Sequence, residues 1–511
     1  MSRPPSPAHR PARGSRSSLA LIAAPFATLA AATAASAQTP PAAMPADAPA
    51  TEVNADNANA NDANRGPDFF TGLFAPSRNN LLGDIGGLRT LLGNYGISPG
   101  LQETSEVLGN VTGGIHTGAD YDGMTEMSVG LDTQKAFGWV GGIFNMSALQ
   151  IHGRNLSTDN LDVLQQASSI EADRSTRLWE MWYQQSFFAG AADIKLGQQS
   201  VDQEFMVSQY SSTVFMNMMM GWPMLPSADM YAGGPAYPLS SLGVRLRAAP
   251  THSLTVLAGV FDDNPAGGSF YNDSEMRGAE AWGGAFNLNT GALWMAELQY
   301  AINQPLPGDM VSPDHPSSGL PGTYKLGFWY DSGSFPNQQY DTLGVPLAAP
   351  TSNGNPLMQR GNYSVYALAD QMIWRPGEES PRSVGIFARA MAAPPDRNEI
   401  SASYDGGLVV KDPLPGRDND NFGVGFGVAE VSPALAAYDN DVALYTNRYS
   451  PAQSVETFVE VTYQYQIAPW WQVQPDFQYF FDPSGSIPNP LDPTRRIGNE
   501  AVFGFRTVVT F

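Results

Sequence analysis

The sequence predicts an all-β fold, a transmembrane antiparallel β-barrel of about sixteen strands that follows a short N-terminal helical segment. Apolar and polar residues alternate with a period of two in many segments of residues 98–511. Short turns occur between some of these segments and long polar connections between others. A soluble β-sandwich also alternates, but it would turn its apolar face inward and would rarely need runs of Gln, Glu and Arg on the other face.

The N-terminal region predicts an export signal followed by a flexible tether. Residues 1–37 combine several arginines, an apolar stretch and the small-residue sequence "ASA", which together are typical of a cleavable signal peptide. Residues 38–80 contain a long run of Ala, Pro, Asn and Asp, which cannot bury enough apolar surface to fold, so we predict a disordered tether. No other run of about 18 apolar residues occurs, so the sequence predicts no helical membrane span.

Residues 81–97 predict the one amphipathic helix, with Asp84 placed to cap it. Its leucines and isoleucine recur at helical spacing. The barrel is predicted to follow over residues 98–511. Residues 98–116 and 404–410 are the weakest strand candidates, and the requirement for an even number of strands sets the prediction at sixteen.

The apolar face of the strands is predicted to meet lipid. In the closing segment "NEAVFGFRTVVTF", Phe503, Phe505 and Phe511 share one face, whereas Gly504 and Arg506 share the other. Only closed barrels or helices pair every backbone group in lipid, so the first face should contact acyl chains and the second should enclose water. The final Phe511 also fits recognition by barrel-assembly machinery, which we expect as a partner together with lipid and lipopolysaccharide.

The connections follow from the same pattern. Residues 248–252 ("AAPTH") and 289–292 ("NTGA") are predicted to be tight turns between adjacent strands. Residues 304–321 and 332–360 are predicted to be long loops that alternate with such turns. Residues 214–239 are rich in Met and almost uncharged, and a connection of this kind would be costly in water. We therefore predict that it folds into the barrel and narrows the channel, although packing among external loops is the alternative.

Placing the apolar face in lipid turns a set of polar and charged residues toward the lumen. The predicted sugar-contacting residues are Glu180, Trp182, Lys195, Arg245, Arg247 and Glu297. The other predicted lumen-facing residues are Gln184, Gln299, Arg389, Glu460 and Arg506. Arginines and carboxylates can donate and accept hydrogen bonds with sugar hydroxyls, and Trp182 can stack on a pyranose ring. The alternative is a merely solvated lumen in which pairs such as Arg245 and Glu180 cancel.

Several classes of function are disfavoured. The net charge of −22 disfavours nucleic acid as a partner, and the absence of Cys excludes thiol chemistry. We find no nucleophile, phosphate-binding or dinucleotide-binding motif, so we predict no enzyme, no cofactor and no metal site. A hydrolase would have to use Glu180 with Glu297. The "RDNDN" sequence at 417–421 is a weak calcium candidate and is better explained as a turn.

Stretches along the chain resemble the OprB-type carbohydrate-selective porins over about residues 80–511. They are "GDIGGLRTLLGNYGI", "RLWEMWYQQSFF", "FMNMMMGWPMLPSA", "GGPAYPLSSLGVRLR" and "YQIAPWWQVQPDFQY". The resemblance implies a largely monomeric outer-membrane barrel that passes glucose and similar sugars by facilitated diffusion. It also implies a constriction of arginines, carboxylates and aromatics, to which Glu180, Trp182, Arg245 and Arg247 would belong. A general porin without sugar preference is the alternative.

Overall fold

A closed barrel of sixteen antiparallel strands forms the described part of the chain, which confirms the predicted fold class. The computed structural model describes residues 78–268, 270, 282–284, 286, 288–304, 319–377 and 380–511. The predicted signal peptide (1–37) and all but the end of the predicted tether (38–80) lie outside these residues. No helix in the described ranges is long and apolar enough to cross a membrane.

The barrel strands follow one another in chain order, and the last pairs with the first. They are β1 (Ile97–Gly114), β2 (Gly118–Asp132), β3 (Gly142–Gly153), β4 (Ser175–Phe187), β5 (Ala192–Gln199), β6 (Ser241–Thr251), β7 (Leu254–Phe261), β8 (Leu293–Ile302), β9 (Gly322–Asp341), β10 (Pro356–Trp374), β11 (Ser383–Ala392), β12 (Ile400–Lys411), β13 (Asn421–Val431), β14 (Val455–Ala468), β15 (Trp471–Phe481) and β18 (Gly498–Thr510). A separate ribbon, β16 (Pro488–Asn489) and β17 (Asp492–Arg496), lies before β18. The two weakest strand candidates, residues 98–116 and 404–410, both form barrel strands, namely β1 and β12.

Short helices occupy the connections. They are α1 (Leu88–Asn94), α2 (Thr133–Phe137), α3 (Ser211–Val214), α4 (Met218–Gly221), α5 (Met224–Asp229), α6 (Pro433–Thr446) and α7 (Pro483–Ser486), with a π-helical turn at Ser157–Leu161 and 3₁₀ turns at Val201–Gln203 and Tyr231–Gly233. The predicted helix over 81–97 is thus shorter at both ends. Gly86 and Gly87 adopt left-handed backbone angles that exclude an earlier start, whereas Asp84 does accept a hydrogen bond from the amide of Thr90 at 2.8 Å.

The two ends of the barrel differ in their connections. At the loop end the fully described connections are residues 115–117, 154–174, 200–240, 342–355, 393–399, 432–454 and 482–497, and the connection from β7 to β8 is only partly described. At the opposite, turn end, residues 188–191, 252–253 and 469–470 join neighbouring strands directly. A tight turn does join β6 to β7, but it lies at 252–253 and not at the predicted 248–252, because Ala248 and Thr251 belong to β6 and pair with β7.

Three predictions about connections were wrong. Residues 289–292 do not form a hairpin but end the long connection between β7 and β8. The predicted loop 332–360 contracts to 342–355, because β9 and β10 extend beyond the apolar band, where outward residues need not be apolar. The predicted loop 304–321 is only partly described, but it joins the turn ends of β8 and β9 and so does not belong with the long loops of the other end.

The outward face of the strands is the apolar one. Phe503 and Phe505 of β18 are 55% and 50% exposed, whereas Arg506, the next residue along the strand, is buried. The same alternation in β14 buries Glu456 and Glu460. Phe458, which breaks the polar side of that strand, also faces inward and packs against an inward aromatic of β15. The period of two therefore assigns the faces as predicted.

Two loops fill much of the interior. Residues 154–174 and 200–240, called the infolded loops below, are largely buried. The Met-rich part of the second loop contributes buried methionines to a dry core, among them Met216, Met218, Met219 and Met220. This confirms the predicted inward fold of 214–239. The barrel thus encloses an apolar core to which the infolded loops and inward strand residues such as Phe387 and Phe458 both contribute.

Carboxylates of the wall bind backbone amides of the infolded loops. Glu460 of β14 accepts hydrogen bonds from the amides of Met216 at 2.5 Å and Asn217 at 3.1 Å. Glu456, four residues earlier on the same face of β14, accepts hydrogen bonds from the amides of Leu164 and Gln165, both at 2.8 Å. Backbone groups in a dry interior need such partners, since a buried donor without one costs about 1–3 kcal/mol.

Basic and amide side chains of the wall bind the loop carbonyls. Arg389 of β11 donates to the carbonyls of Met206 at 3.0 Å and Gly221 at 3.1 Å, and also to that of Met219. Gln474 of β15 donates to a further loop carbonyl at 2.7 Å. The inward polar residues of these strands therefore hold the loops in place.

We predict that Glu460→Ala loosens the second infolded loop. The change leaves the amides of Met216 and Asn217 without their acceptor, which should cost about 1–3 kcal/mol and enlarge the open channel. Thermal unfolding in detergent and single-channel conductance measure the two effects. Glu430→Ala, on the outward face near the loop end of β13, is the matched control. Equal stability and conductance in both variants would contradict the anchoring role.

Candidate functional site

Three cations project into the barrel from two neighbouring strands. Lys195 of β5 pairs in register with Arg245 of β6, and Asp193 pairs with Arg247. Residues that lie directly opposite in an antiparallel pair share a face, and so do residues two apart on one strand. All four side chains therefore meet on the lumen side of β5 and β6, toward the turn end of the barrel.

Three carboxylates neutralise these cations. Arg245 forms ion pairs with both Asp193 and Glu204. Nζ of Lys195 lies 2.8 Å from Glu204 Oε1 and 4.0 Å from Glu180 Oε1, and Arg247 lies 3.3 Å from Asp193. We call these residues the charge cluster. Its members are Glu180, Asp193, Lys195, Glu204, Arg245 and Arg247.

Two side chains of β4 complete the site. The ammonium of Lys195 lies 4.2 Å from the ring centroid of Trp182, a cation–π geometry. Gln184 accepts a hydrogen bond from Arg245 at 3.3 Å. The buried Nε1 of Trp182 has no hydrogen-bond partner in the structure.

A β-bulge brings Glu180 onto the lumen side. Ser147 of β3 opposes both Trp179 and Glu180, so the register of β4 shifts by one residue at this point. Both side chains are buried, and Trp179 packs edge-on against Tyr237 of the second infolded loop. Two residues in a bulge replace one, which allows consecutive side chains to face the same way.

The cations differ in their exposure. The side chain of Arg247 is 31% exposed, whereas that of Arg245 is only 5% exposed. Trp182 and Gln184 are half-buried. Of the predicted sugar-contacting residues, Arg247 and Trp182 therefore reach the lumen water, while Arg245, Lys195 and Glu180 support them from behind.

Sequence analysis missed two of the carboxylates, Asp193 and Glu204. Asp193 lies two residues before Lys195, so the alternation of β5 carries a signal for it. Glu204 comes from the second infolded loop, where no period applies. Burial alone would raise the pKa of Glu204, but Lys195 and Arg245 outweigh this effect and hold it below its usual value.

The predicted sugar contact Glu297 lies in a different network. Its carboxylate accepts hydrogen bonds from the amide of Met206 at 2.8 Å, the hydroxyl of Tyr366 at 2.8 Å and the amide of Gln299 at 2.6 Å. Nζ of Lys325 is 3.6 Å away. Glu297 is thus fully engaged in holding the start of the second infolded loop, and the structure does not bring it to the charge cluster.

The remaining predicted lumen residues also bind protein groups. Arg389 and Glu460 hold the second infolded loop, as described above. Arg506 pairs with Glu106 of β1 and donates to Ser169 of the first infolded loop at 2.9 Å. Gln299 alone remains half-buried. These side chains lie on the inward face of the strands, where Arg389, Glu460 and Arg506 bind the infolded loops.

Neither the alternative calcium site nor the alternative hydrolase pair is favoured by these contacts. In the "RDNDN" segment, Arg417 binds both oxygens of Asp420, at 2.8 and 2.7 Å, and closes the connection between β12 and β13. Within the described ranges, no group of three or more His, Asp or Glu is arranged to hold a metal ion. Glu180 and Glu297 belong to separate networks.

A closed sixteen-stranded barrel that is apolar outside and charged inside is the architecture of an outer-membrane porin. The model of the carbohydrate-selective porin, OprB family, matches residues 116–511, and the chain belongs to this family. It is a carbohydrate-selective outer-membrane porin, which is a channel and not an enzyme. This confirms the resemblance noted in the sequence.

Relatives extend the same similarity along the chain. Porin B of Pseudomonas aeruginosa is 26% identical over 433 residues, which span 81% of this chain and 88% of that protein. The high-pH structure of Pseudomonas putida OprB superposes with a TM-score of 0.73 at 23% identity, covering 85% of this chain and 99% of that one. Its low-pH structure gives 0.51 at 19% identity, with 86% and 100% covered. These structural likenesses support the shared fold.

We predict that Asp202, beside the charge cluster, gives the channel a pH-dependent ion selectivity. Burial, together with the nearby charge of Glu180, raises the pKa of Asp202 from its ordinary 3.8 to about 7. The folded protein therefore binds a proton that the unfolded chain has released, so stability falls as the pH rises from about 4 to about 7. In the folded protein the carboxyl ionises only as the pH passes about 7, where the lumen gains a negative charge.

Reversal potentials across a KCl gradient should therefore move toward cation preference as the pH passes about 7. Asp202→Asn should flatten this change, because the amide cannot ionise and still offers one acceptor to Ser200 or Tyr237. Asp492→Asn, at an exposed carboxylate before β18, is the control. An unaltered pH dependence in Asp202→Asn would show that other groups cause it.

Proposed function

We propose that the charge cluster forms the constriction through which this porin passes glucose-like monosaccharides and small oligosaccharides. The observation that carries the proposal is the pairing of three cations with three carboxylates on β4, β5, β6 and the infolded loop. A narrow region with balanced charge does not favour either sign of ion. It presents fixed donors and acceptors, which suits an uncharged, hydroxyl-rich solute.

Contact with the sugar falls to the exposed members of the site. Arg247 keeps donors free beyond its contacts with Asp193 and the carbonyl of Gly190. Gln184 adds an amide, and Trp182 adds an aromatic face. These groups would form transient hydrogen bonds with the sugar hydroxyls as the sugar passes. Conduction needs such weak binding at several sites.

Buried members of the cluster position the exposed ones. Asp193 binds both Arg245 and Arg247, so it fixes the two guanidinium groups relative to each other. Lys195 lies over the ring of Trp182 and holds it beside the lumen. Glu180 and Glu204 secure Lys195 in turn. We assign Glu297 to loop positioning and not to sugar contact.

Targeting and assembly complete the proposal. Residues 1–37 would direct export as a signal peptide, and residues 38–80 would form a tether. The exposed apolar band that includes Phe503 and Phe505 would contact lipid and, at the outer leaflet, lipopolysaccharide. Barrel-assembly machinery would recognise Phe511 together with β18, the strand that precedes it.

We predict that Arg247→Ala weakens block of the channel by glucose about three- to tenfold, the effect of losing one hydrogen bond to the solute. Titration of glucose against single-channel current in planar bilayers measures the change. Arg382→Ala removes the same charge from an arginine at the turn end, where it pairs with Asp412, and should leave block unchanged. A general porin would give a current indifferent to glucose in the unmodified protein as well.

We predict that Glu204→Gln converts the balanced constriction to an anion-preferring one. The change leaves Lys195 without its closest carboxylate and Arg245 with one partner of two, so the cluster gains a net positive charge. Liposome-swelling rates should rise for gluconate relative to glucose. Asp492→Asn removes an equal charge far from the cluster and should leave the ratio unchanged. An unchanged ratio in Glu204→Gln would place the constriction elsewhere.

A further inference from the structure

A groove interrupts the outward surface of the barrel over β7–β12. Its cavity volume is about 630 Å³, within the range of small-molecule sites, and its lining is almost wholly apolar. The outward side chains among its lining residues are Val256, Leu298, Leu326, Phe328, Val365, Ala367, Ala390, Ala392 and Tyr404. The groove therefore opens toward the membrane and not toward the lumen. We call it the outer groove.

Small side chains on two neighbouring strands create the outer groove. The outward positions of β10 and β11 form three opposed pairs, which are Val365 with Ala392, Ala367 with Ala390 and Ala369 with Ala388. Opposed residues of an antiparallel pair share a face, so methyl groups line most of the surface between the two strands. Large outward side chains occur elsewhere on the barrel, such as Phe503 and Phe505 of β18. The alanine surface is therefore lower than its surroundings.

Large side chains form the two walls of the outer groove. On β9, Leu326 and Phe328 lie in register with the β10 members of the first two pairs. On β12, Tyr404 lies beside Ala390. These three large side chains are exposed. A hydrocarbon chain between the walls would be contacted from three sides, whereas a flat surface contacts it from one. Dispersion contacts are weak singly and add up, so the groove favours an ordered chain.

The length and position of the outer groove match one leaflet of the membrane. The three pairs extend over about 13 Å, since each residue rises about 3.3 Å along a strand. Half of the hydrocarbon core is about 15 Å thick. The next outward pair toward the loop end is Tyr363 with Tyr330, and Trp294 of β8 lies beside Tyr330. Such aromatics mark the membrane interface, so the groove lies in the leaflet nearer the loop end, which is the extracellular one.

A cation lies beyond these aromatics, at the level expected for lipid headgroups. Arg360 of β10 pairs with Ser334 of β9, and both side chains are exposed on the outward face. Arg360 lies three residues beyond Tyr363, which is about 10 Å along the strand. Its guanidinium forms no ion pair or hydrogen bond with any described residue. It can therefore bind an oxyanion outside the protein, and its planar fork suits a phosphate.

We propose that the outer groove holds one acyl chain of a lipopolysaccharide molecule whose phosphate binds Arg360. The inference rests on the proposed placement of the barrel in the outer membrane. The groove specifies the chain, because it offers methyl and aromatic surface and almost no polar groups. Arg360 specifies the headgroup, because a guanidinium without a carboxylate partner attracts a phosphate. The extracellular leaflet supplies lipopolysaccharide as its phosphate-bearing lipid, which selects it over a phospholipid.

A larger side chain in the outer groove tests the contact with the acyl chain. Ala390→Phe places a ring between the walls without adding a polar group. Ala501→Phe makes the same change on the outward face of β18, away from the groove. The purified porin in mild detergent is titrated with a rough-type lipopolysaccharide, and native mass spectrometry counts the bound molecules. The unmodified protein should retain one molecule, and Ala390→Phe should bind it about tenfold more weakly.

The control decides the meaning of that result. Ala501→Phe should bind lipopolysaccharide as the unmodified protein does. Equal binding by the two phenylalanine variants, or no retained molecule on the unmodified protein, would overturn the proposal. Both substitutions lie on the outward surface and add apolar area there, so both variants should fold, which the heat-dependent shift of the barrel on a gel verifies.

Arg360→Gln tests the contact with the headgroup. The variant should bind lipopolysaccharide about three- to tenfold more weakly, the effect of losing a hydrogen bond to a charged group. Arg496→Gln, which removes an exposed arginine from the separate ribbon at the same end, should bind normally. Phosphatidylglycerol in the same titration represents the other source of phosphate. Its retention as tightly as lipopolysaccharide would overturn the assignment.

Glucose block of the channel, measured on the same four variants, separates this inference from the proposed constriction. The outer groove and Arg360 lie on the outward face, whereas the charge cluster lies in the lumen. Block should therefore be equal in all four variants. A loss of block in Ala390→Phe or Arg360→Gln would show that these substitutions disturb the barrel and would contradict a separate lipid site.

Discussion

Every backbone group of this protein must find its partner within the protein wherever water is absent. At the outer surface this requirement produces the closed ring of sixteen strands, because a barrel leaves no unpaired edge in lipid. Inside, the two infolded loops have the same need but no ladder to join. Side chains of the wall supply the missing partners, with Glu456 and Glu460 for amides and Arg389 for carbonyls. The polar lumen is therefore partly a scaffold for its own loops.

The same constraint explains how far the fold could be predicted. The period of two assigns Phe505 to lipid and Arg506 to the interior because pleating leaves no other choice. Outside the lipid-facing band, strands need not alternate apolar and polar residues, so the sequence pattern no longer predicts them. β9 continues to Asp341 beyond the apolar band, where either face may be polar, so "SGSFPNQQYD" resembles a loop. The helix start at Leu88 depends on left-handed glycines that a pattern of leucines does not record.

For the candidate site, the alternation of apolar and polar residues predicts which side of the barrel wall a side chain faces. It predicts neither the position of that side chain along the barrel axis nor the group that it binds. It correctly turned Lys195, Arg245 and Arg247 inward, and adjacent strands brought them together. It could not separate Glu180, which supports the cluster, from Glu297, which binds the amide of Met206. It missed Glu204 because that residue reaches the site from an infolded loop. Loop residues show no regular alternation of apolar and polar positions. When a loop completes a site, the sequence pattern therefore predicts only the strand residues of that site.

Glu204 also links the two roles of the interior. It belongs to the infolded loop that Glu297, Arg389 and Glu460 hold against the wall, and it supplies one of the three carboxylates of the charge cluster. Any displacement of that loop would withdraw a negative charge from between Lys195 and Arg245. Anchors elsewhere on the wall, such as Glu460, therefore help to set the charge balance of the cluster. In a porin of this kind, substitutions at loop-anchoring residues that do not contact the solute can alter the solute preference.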